Sequence, residues 1–515
     1  MKKLPIGTQD FSILREDDYL YVDKTEHIFK LVENGRIYFL SRPRRFGKSL
    51  LISTIEELFK CNKKLFEDLY IYNKWDWTKP YPVLSLDLSG SEESENIHDF
   101  LNDILEEASE DFNVELKRIT LNKKFKELIK KVSLKTGEKV VVLIDKYDDP
   151  IIKNLKNPEI AEKIRNTLNS FYKALKESDS YIKFLFLTGI SKFSNVSIFS
   201  ALNNPDDITL SQDFSTICGY TQDELQSNFS SHIENLIEKQ GLTEEETLNY
   251  IKFWYDGYSW NGVDKVYNPF STLKLFKENS FDTHWFETGT PKFLTDFSYN
   301  IETILEPVDT IKSDFDDFDP LNISQNALLF QTGYLTIKNV DENKMPPIYR
   351  LNIPNFEVRR AFFNNLVSEF SNVSINDLMK YRKIFWESVL EGDEETIKEI
   401  VGDYLAPIPN ILRSKEEKYY HALIFRWLLS MGFNIHCEVL TYSGRVDAVI
   451  EKNNKIIIIE FKQDNERSID EMIKESLQQI EDRKYEIPYK GKTIIRMAIV
   501  FSKEKIGCKI EKDIF

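Results

Sequence analysis

Residues 36–59 read RIYFLSRPRRFGKSLLISTIEELF: an apolar run of strand length, a polar loop ending in Gly-Lys-Ser, and an apolar pattern of helical period. That order leaves few folds open. A strand that leads through a glycine-containing loop onto a helix N-terminus points backbone amides at an anion, and a following lysine and hydroxyl complete a polyphosphate site. In this reading Gly47 gives the backbone its close approach, Lys48 reaches the β- and γ-phosphates, Ser49 ligates Mg²⁺, and Arg45 lines the loop. Arg42 stands where such loops usually carry their first glycine.

Strand candidates at 36–41, 82–89, 139–145 and 182–188 alternate with helical patterns, which predicts an α/β domain on a mainly parallel sheet over 1–212. Runs such as VVVLI, apolar on both faces, need helices on both sides of that sheet. Asp145 ends one run and is the candidate carboxylate for holding Mg²⁺ through water. Thr188, at the tip of another, is placed to sense a γ-phosphate. The residue after Asp145 is Lys146, where a hydrolysing site of this kind carries a carboxylate that polarises water. An ammonium at neutral pH can neither take a proton nor orient water in that way, so ATP binding is expected with turnover slow or absent. Asp148 and Asp149 are the alternative carboxylates, two and three residues on.

The pattern then changes. Residues 213–300 read as a helical lid, and 301–405 as a mixed middle domain with LLFQTGYLTI (328–337) as a strand pair and a helical stretch near 375–404. LAPIPN, with two prolines at 405–410, reads as a linker into a last domain, 406–515.

That domain parses as α-β-β-β-α-β: an amphipathic helix ending at Gly432, the strands NIHCEVL, RVDAVIE and KIIIIEFK, a helix over 468–484, and TIIRMAIVFS. If Asn453 and Asn454 are a two-residue hairpin turn, facing residues have numbers that sum to 907, and Asp447 stands opposite Glu460. Cross-strand neighbours lie about 5 Å apart at Cβ, so the two carboxylates can share Mg²⁺ or Mn²⁺. Lys462 emerges on the face of Glu460. A metal that activates water beside an ammonium is the equipment of phosphodiester hydrolysis. Glu417 on the preceding helix is the candidate third carboxylate, Gln479 on the following helix a candidate for positioning water or phosphate, and His421 reads equally as packing.

With these residues the chain resembles the bacterial and archaeal AAA-ATPase-like proteins that carry a C-terminal PD-(D/E)XK nuclease domain. The resemblance runs through LPIGTQDF, YVDKT, RPRRFGKS, LIDKYDDPI, LTGISKFSNVSIFSALNN, WYDGYSW, VYNPFS, WFETGTPKFL, QTGYLTI, IPNFEVR and GRVD…EFK. It implies an ATP and Mg²⁺ site at Gly47, Lys48, Ser49 and Asp145, and a nuclease centre at Asp447, Glu460 and Lys462. Arg42 belongs to the family's own loop. The family's second motif usually reads LIDEYD, so Lys146 departs from it. A role in defence against phage or mobile elements follows only by analogy.

Composition sets bounds on the partners. At 515 residues roughly two to four domains are expected. A net charge of −16 restricts any nucleic-acid contact to a local patch, with DNA ahead of RNA as substrate. The four cysteines are widely spaced and predict ordinary buried thiols in a reducing compartment. The N-terminus lacks the apolar segment of a signal peptide, and no run approaches the ~18 apolar residues of a membrane span, so a cytoplasmic protein without membrane contact is expected. Self-association is expected where a neighbouring subunit supplies an arginine to the nucleotide. The leading function is an ATP-gated, metal-dependent nuclease. Its rival is a nucleotide-sensing switch or scaffold with a degenerate ATPase; a DNA motor is disfavoured by Lys146.

Overall fold

A computed structural model describes residues 1–90, 96–155, 157–192, 205–285, 307–316, 324–362, 375–405, 424, 427–428, 431, 433–441, 444–452, 454–464, 467–486, 489, 491–502 and 505–513. The chain divides into two compact units, Met1–Val358 and Arg359–Phe515.

The first unit is built on five parallel strands: β1 (Ile37–Ser41), β2 (Val83–Asp87), β3 (Val140–Asp145), β4 (Ile182–Gly189) and β5 (Asp206–Asp207). Their order is β2-β3-β4-β1-β5. Every residue of β3 is buried, as a strand covered on both faces requires. Parallel neighbours need long crossovers, and the helices Lys48–Phe59, Leu121–Thr136 and Pro158–Glu177 lie in those connections. The carboxyl ends of β1, β4 and β3 lie side by side, where open α/β sheets hold their ligands.

Four helices follow: Gln222–Asn228, Ser230–Gln240, Glu244–Tyr255 and Pro269–Glu278. Thr221 and Thr243 start two of them with complete capping boxes. Their apolar faces close over Leu20 and Val22, with Leu4 and Ile6 packed alongside. A small antiparallel sheet comprises β6 (Val308–Ile311), β7 (Thr336–Asp341) and β8 (Ile348–Asn352) in the order β6-β8-β7. Here one expectation is corrected: residues 328–332 are not a strand but the end of the helix Gln325–Thr332, closed by Gly333 at φ +91°. Ala327 to Thr332 are all buried, and an apolar run without period does not distinguish strand from helix.

The second unit holds β9 (Asn434–Thr441), β10 (Gly444–Lys452), β11 (Lys455–Gln463), β12 (Thr493–Phe501) and β13 (Ile506–Asp513) in one sheet of order β13-β12-β11-β10-β9. Only β11 and β12 pair in parallel, and the helix Ile469–Arg483 makes their crossover. The β10–β11 ladder pairs Ala448 with Ile459 and Lys452 with Lys455, the register of sum 907 that a turn at 453–454 predicts. Val446, Val449, Ile456, Ile458, Ile480, Tyr485 and Ile494 form one buried apolar cluster in this unit.

β13 was not evident from sequence, and the helix Glu394–Leu405 packs against it. Glu394 accepts the Ile510 N–H at 3.1 Å and pairs with Lys509 at 3.1 Å. Cys218 and Cys508 are buried as expected, but Cys61 is partly exposed, and the Cys437 side chain lies outside the described residues.

The helix Glu394–Leu405 buries Ile397, Ile400, Val401, Tyr404 and Leu405. Ile397→Ala should therefore destabilise a fragment 359–515 by about 2–5 kcal/mol. That fragment should melt cooperatively, and one trimmed to 406–515 should melt at lower temperature. Thermal melts followed by circular dichroism decide it, and equal midpoints for the two fragments would refute the role given to the helix.

Candidate functional site

The first site forms where β1 runs out. Gly47 sits at φ +90°, in the left-handed region that a side chain would strain, and caps the helix that opens with Lys48. The Lys48 ammonium is buried and donates to the carbonyls of Arg42 and Pro43 at 2.7 and 2.8 Å. Burial pulls its pKa down to about 8, against the attraction of Asp145 and Asp148. Arg42 is also fully buried. Its guanidinium donates to the carbonyls of Ser41, Thr209 and Phe214 and lies 4.0 Å from the centre of the Trp260 ring. Arg45 lies over Phe270 at 5.0 Å.

Asp145, at the end of β3, is almost completely buried. Its Oδ2 accepts the Ser49 hydroxyl at 2.5 Å and its Oδ1 the Thr188 hydroxyl at 2.6 Å. Ser49, Asp145 and Thr188, far apart in sequence, are thus one hydrogen-bonded group. Lys146 adopts a left-handed φ of +54°, and its ammonium lies 3.1 Å from Asp87 and 3.9 Å from Asp145. Asp87 ends β2 in register with Asp145. It was missed from sequence, although LSLD and LID are both strands that end in aspartate.

The two alternative carboxylates line the same cavity but are engaged by other partners. Asp149 pairs with Lys153 at 2.8 Å. Asp148 accepts the N–H groups of Ile190 and Ser191 at 2.9 and 2.6 Å, and burial pushes its pKa up to about 6. This approach needs Gly189, because a Cβ there would stand 2.6 Å from Asp148 Oδ1.

Of these residues, Arg45, Gly47, Lys48, Ser49, Lys146, Asp148 and Asp149 border a cavity of about 480 Å³, within the range of small-molecule sites. Its floor is the loop 44–51 with Lys146, Asp148 and Asp149; its apolar wall comes from Pro5, Ile6, Tyr220, Phe270 and Leu273. A cationic floor beside an apolar wall suits a molecule with a polyphosphate at one end and a flat apolar ring at the other.

The second site lies on β10 and β11. Asp447 accepts the Phe461 N–H at 2.9 Å. Glu460 is fully buried; its Oε2 accepts from Gln479 Nε2 at 3.0 Å, and its Oε1 has no donor among the described residues. Burial pushes the Glu460 pKa up to about 9, the neighbouring Asp447 adds to the shift, and Lys462 opposes it. Without a cation, the two carboxyl groups can hydrogen bond only if one keeps a proton, and the raised pKa favours Glu460 as its holder. Tyr485, which sequence reasoning missed, is buried and hydrogen bonded to Gln479. Its place just past the end of the helix Ile469–Arg483 gave no signal in the sequence.

The second site fits a hard divalent cation: two adjacent carboxylates, one with a buried oxygen that no donor satisfies among the described residues. Among the described residues no three of His, Cys, Asp and Glu come together. Glu417 and His421 lie outside the described residues. The first site fits such a cation less well, since both Asp145 oxygens are hydrogen bonded and an ammonium lies beside them.

Residues 5–199 match the family model described as a predicted AAA-ATPase, and residues 415–511 match that of the PD-(D/E)XK nuclease superfamily. A protein of Azotobacter chroococcum mcd 1, described as an uncharacterized protein in the vnfD 5' region, is 36% identical over 522 residues. The alignment spans 98% of this chain and 97% of that protein. Among the described residues no helix is long and apolar enough to cross a membrane.

The Glu460 proton has a consequence for stability. Because the folded pKa lies above the ordinary 4.5, the contribution of the protonated acid is full below about pH 4.5 and is lost as pH rises toward about 9. In EDTA, the protein should lose melting temperature between about pH 6 and about pH 8 by a component that Glu460→Gln abolishes. Mn²⁺ at the higher pH should raise the melting temperature of the unaltered protein and not of the variant. Equal Mn²⁺ stabilisation of both proteins would mean that the cation binds elsewhere.

Proposed function

The chain belongs to the AAA-ATPase-like proteins that carry a PD-(D/E)XK nuclease superfamily domain at the C-terminus, and from that premise we propose that it is a metal-dependent nuclease gated by a bound nucleotide. The observation that carries the nuclease reading is the buried Glu460 beside Asp447, with an oxygen unsatisfied among the described residues and a raised pKa. A scaffold has no use for a carboxyl group buried at this electrostatic cost. Asp447 and Glu460 would hold Mg²⁺ or Mn²⁺, which supplies a water of lowered pKa and charge compensation on phosphate. Gln479 fixes the orientation of Glu460, and Tyr485 fixes Gln479. Lys462, two residues along the strand, offers its ammonium to the phosphate whose charge grows during cleavage.

In the first unit, the cavity floor with Lys48, Ser49 and Arg45 receives the polyphosphate of ATP, and Thr188 reports through Asp145 on what lies there. Nucleic acid, with DNA ahead of RNA, is the proposed substrate. The net charge of −16 confines its contact to cations near the C-terminal site.

Incubation of plasmid DNA, single-stranded DNA and RNA with Mg²⁺ or Mn²⁺, with and without ATP, tests the reading. Asp447→Ala and Glu460→Ala should abolish cutting and Mn²⁺ binding together. Lys462→Ala should spare Mn²⁺ binding in calorimetry and slow cutting by about 10²-fold or more. Lys48→Ala should remove the effect of ATP while leaving Mn²⁺ binding intact. Undiminished cutting by the Glu460→Ala protein, with contaminating nuclease excluded, would refute the assignment.

A further inference from the structure

The two acidic centres differ in one respect that bears on the nucleotide. At Glu460 an oxygen is left without a donor among the described residues, whereas at Asp145 both oxygens are already matched: Oδ2 by the Ser49 hydroxyl at 2.5 Å, Oδ1 by the Thr188 hydroxyl at 2.6 Å. Beside Asp145 stands a charge belonging to the chain itself. The Lys146 ammonium lies 3.9 Å from Asp145 Oδ2 and 3.1 Å from Asp87 Oδ2, so it bridges the carboxylates that end two adjacent strands. A divalent cation placed between Ser49 and Asp145 would meet that ammonium at a few ångströms and be repelled by it.

The backbone supports the same reading. Lys146 has φ +54°, a conformation that lysine rarely adopts, and it is held there by the N–H of Tyr147 donating to the Thr188 carbonyl at 3.0 Å. The turn therefore aims the side chain to the edge of the cavity, where Lys146 joins Lys48 in its lining. A nucleoside triphosphate entering there finds one ammonium from the loop and a second from the end of β3.

We propose that the Lys146 ammonium supplies the positive charge that a divalent cation supplies in the usual arrangement, so that the N-terminal cavity binds a nucleoside triphosphate free of metal. This rests on the nucleotide reading of the cavity and deepens it: the bound species is the metal-free anion, retained without hydrolysis. The two centres of the chain then answer to different ions, the first to nucleotide alone and the second to Mg²⁺ or Mn²⁺.

The test measures ATP affinity by calorimetry in EDTA and in Mg²⁺, using the full chain in a Glu460→Gln background so that metal at the C-terminal carboxylates does not contribute. In the unaltered protein the affinity for total ATP should be about tenfold or more higher in EDTA than in excess Mg²⁺, which withdraws the metal-free anion into its own complex, and in Lys146→Met it should fall about tenfold or more in EDTA and no longer weaken when Mg²⁺ is added. Lys146→Glu should bind only with Mg²⁺. If Lys146→Glu does not fold, the neutral Lys146→Met carries the comparison. An unaltered Lys146 site that binds in Mg²⁺ and fails in EDTA would overturn the proposal while keeping the nucleotide reading. Absence of binding in both buffers would overturn both.

Discussion

Burying an ammonium is expensive unless oxygens replace its water, and the first unit is organised around doing so for Lys48. The nearest oxygens belong to its own loop, the carbonyls of Arg42 and Pro43. The loop must therefore curl back over the lysine, and that curl puts Gly47 at a positive φ. Arg42, pinned at the base of the curl, is buried with no carboxylate in salt-bridge contact among the described residues. Three carbonyls and the face of Trp260 stabilise it instead. This explains how an arginine can stand where a glycine is usual. Its bulk is not in the phosphate path but is directed into the protein beneath it.

The same currents of charge and burial separate two carboxylates of similar setting. Asp145 and Glu460 each follow an apolar strand, yet hydroxyl donors surround one and another carboxylate faces the other. Burial with a like charge beside it disfavours the charged form of Glu460. Strand identity alone does not predict which will occur, because the deciding partners come from other elements: Ser49 from the helix after β1, Thr188 from β4, Asp447 from β10.

Legibility in the sequence followed the same divide between local and non-local. The four long strands of the parallel sheet and the β10–β11 register could be read because they depend on apolar runs and a short turn. β5, two residues long, carries no pattern of its own and exists because it pairs with Tyr38 and Phe39. β13, IGCKIEKD, alternates weakly and is stabilised by β12 on one side and the helix Glu394–Leu405 packed against it. The Asp447–Glu460 pair came from register arithmetic. The Lys146–Asp87 pair required knowing that β2 and β3 are neighbours, and a sequence of alternating strands and helices does not state that order.

The motifs that surround the loop in space acquire a physical role once the cavity is seen. LPIGTQDF supplies Pro5 and Ile6 to its wall, and VYNPFS supplies Phe270. WYDGYSW contributes Tyr258 and Trp260, which meet Phe46 edge to face at 4.8 and 5.3 Å. The Trp285 indole donates to the Arg44 carbonyl at 3.3 Å. Phe270, Tyr258, Trp260 and Trp285 all touch the loop at Arg44 to Phe46, so a ligand that moves the loop by a fraction of an ångström changes contacts with all of them. A close-packed surround of this kind responds by shifting between discrete packings rather than by yielding smoothly. Glu357 is placed to register that shift: it is buried, its carboxylate accepts the N–H groups of His284 and Trp285 at 2.7 and 2.8 Å, and it stands one residue before the end of the first unit. Hydrogen bonds thus run from Arg44 of the loop through Trp285 to Glu357.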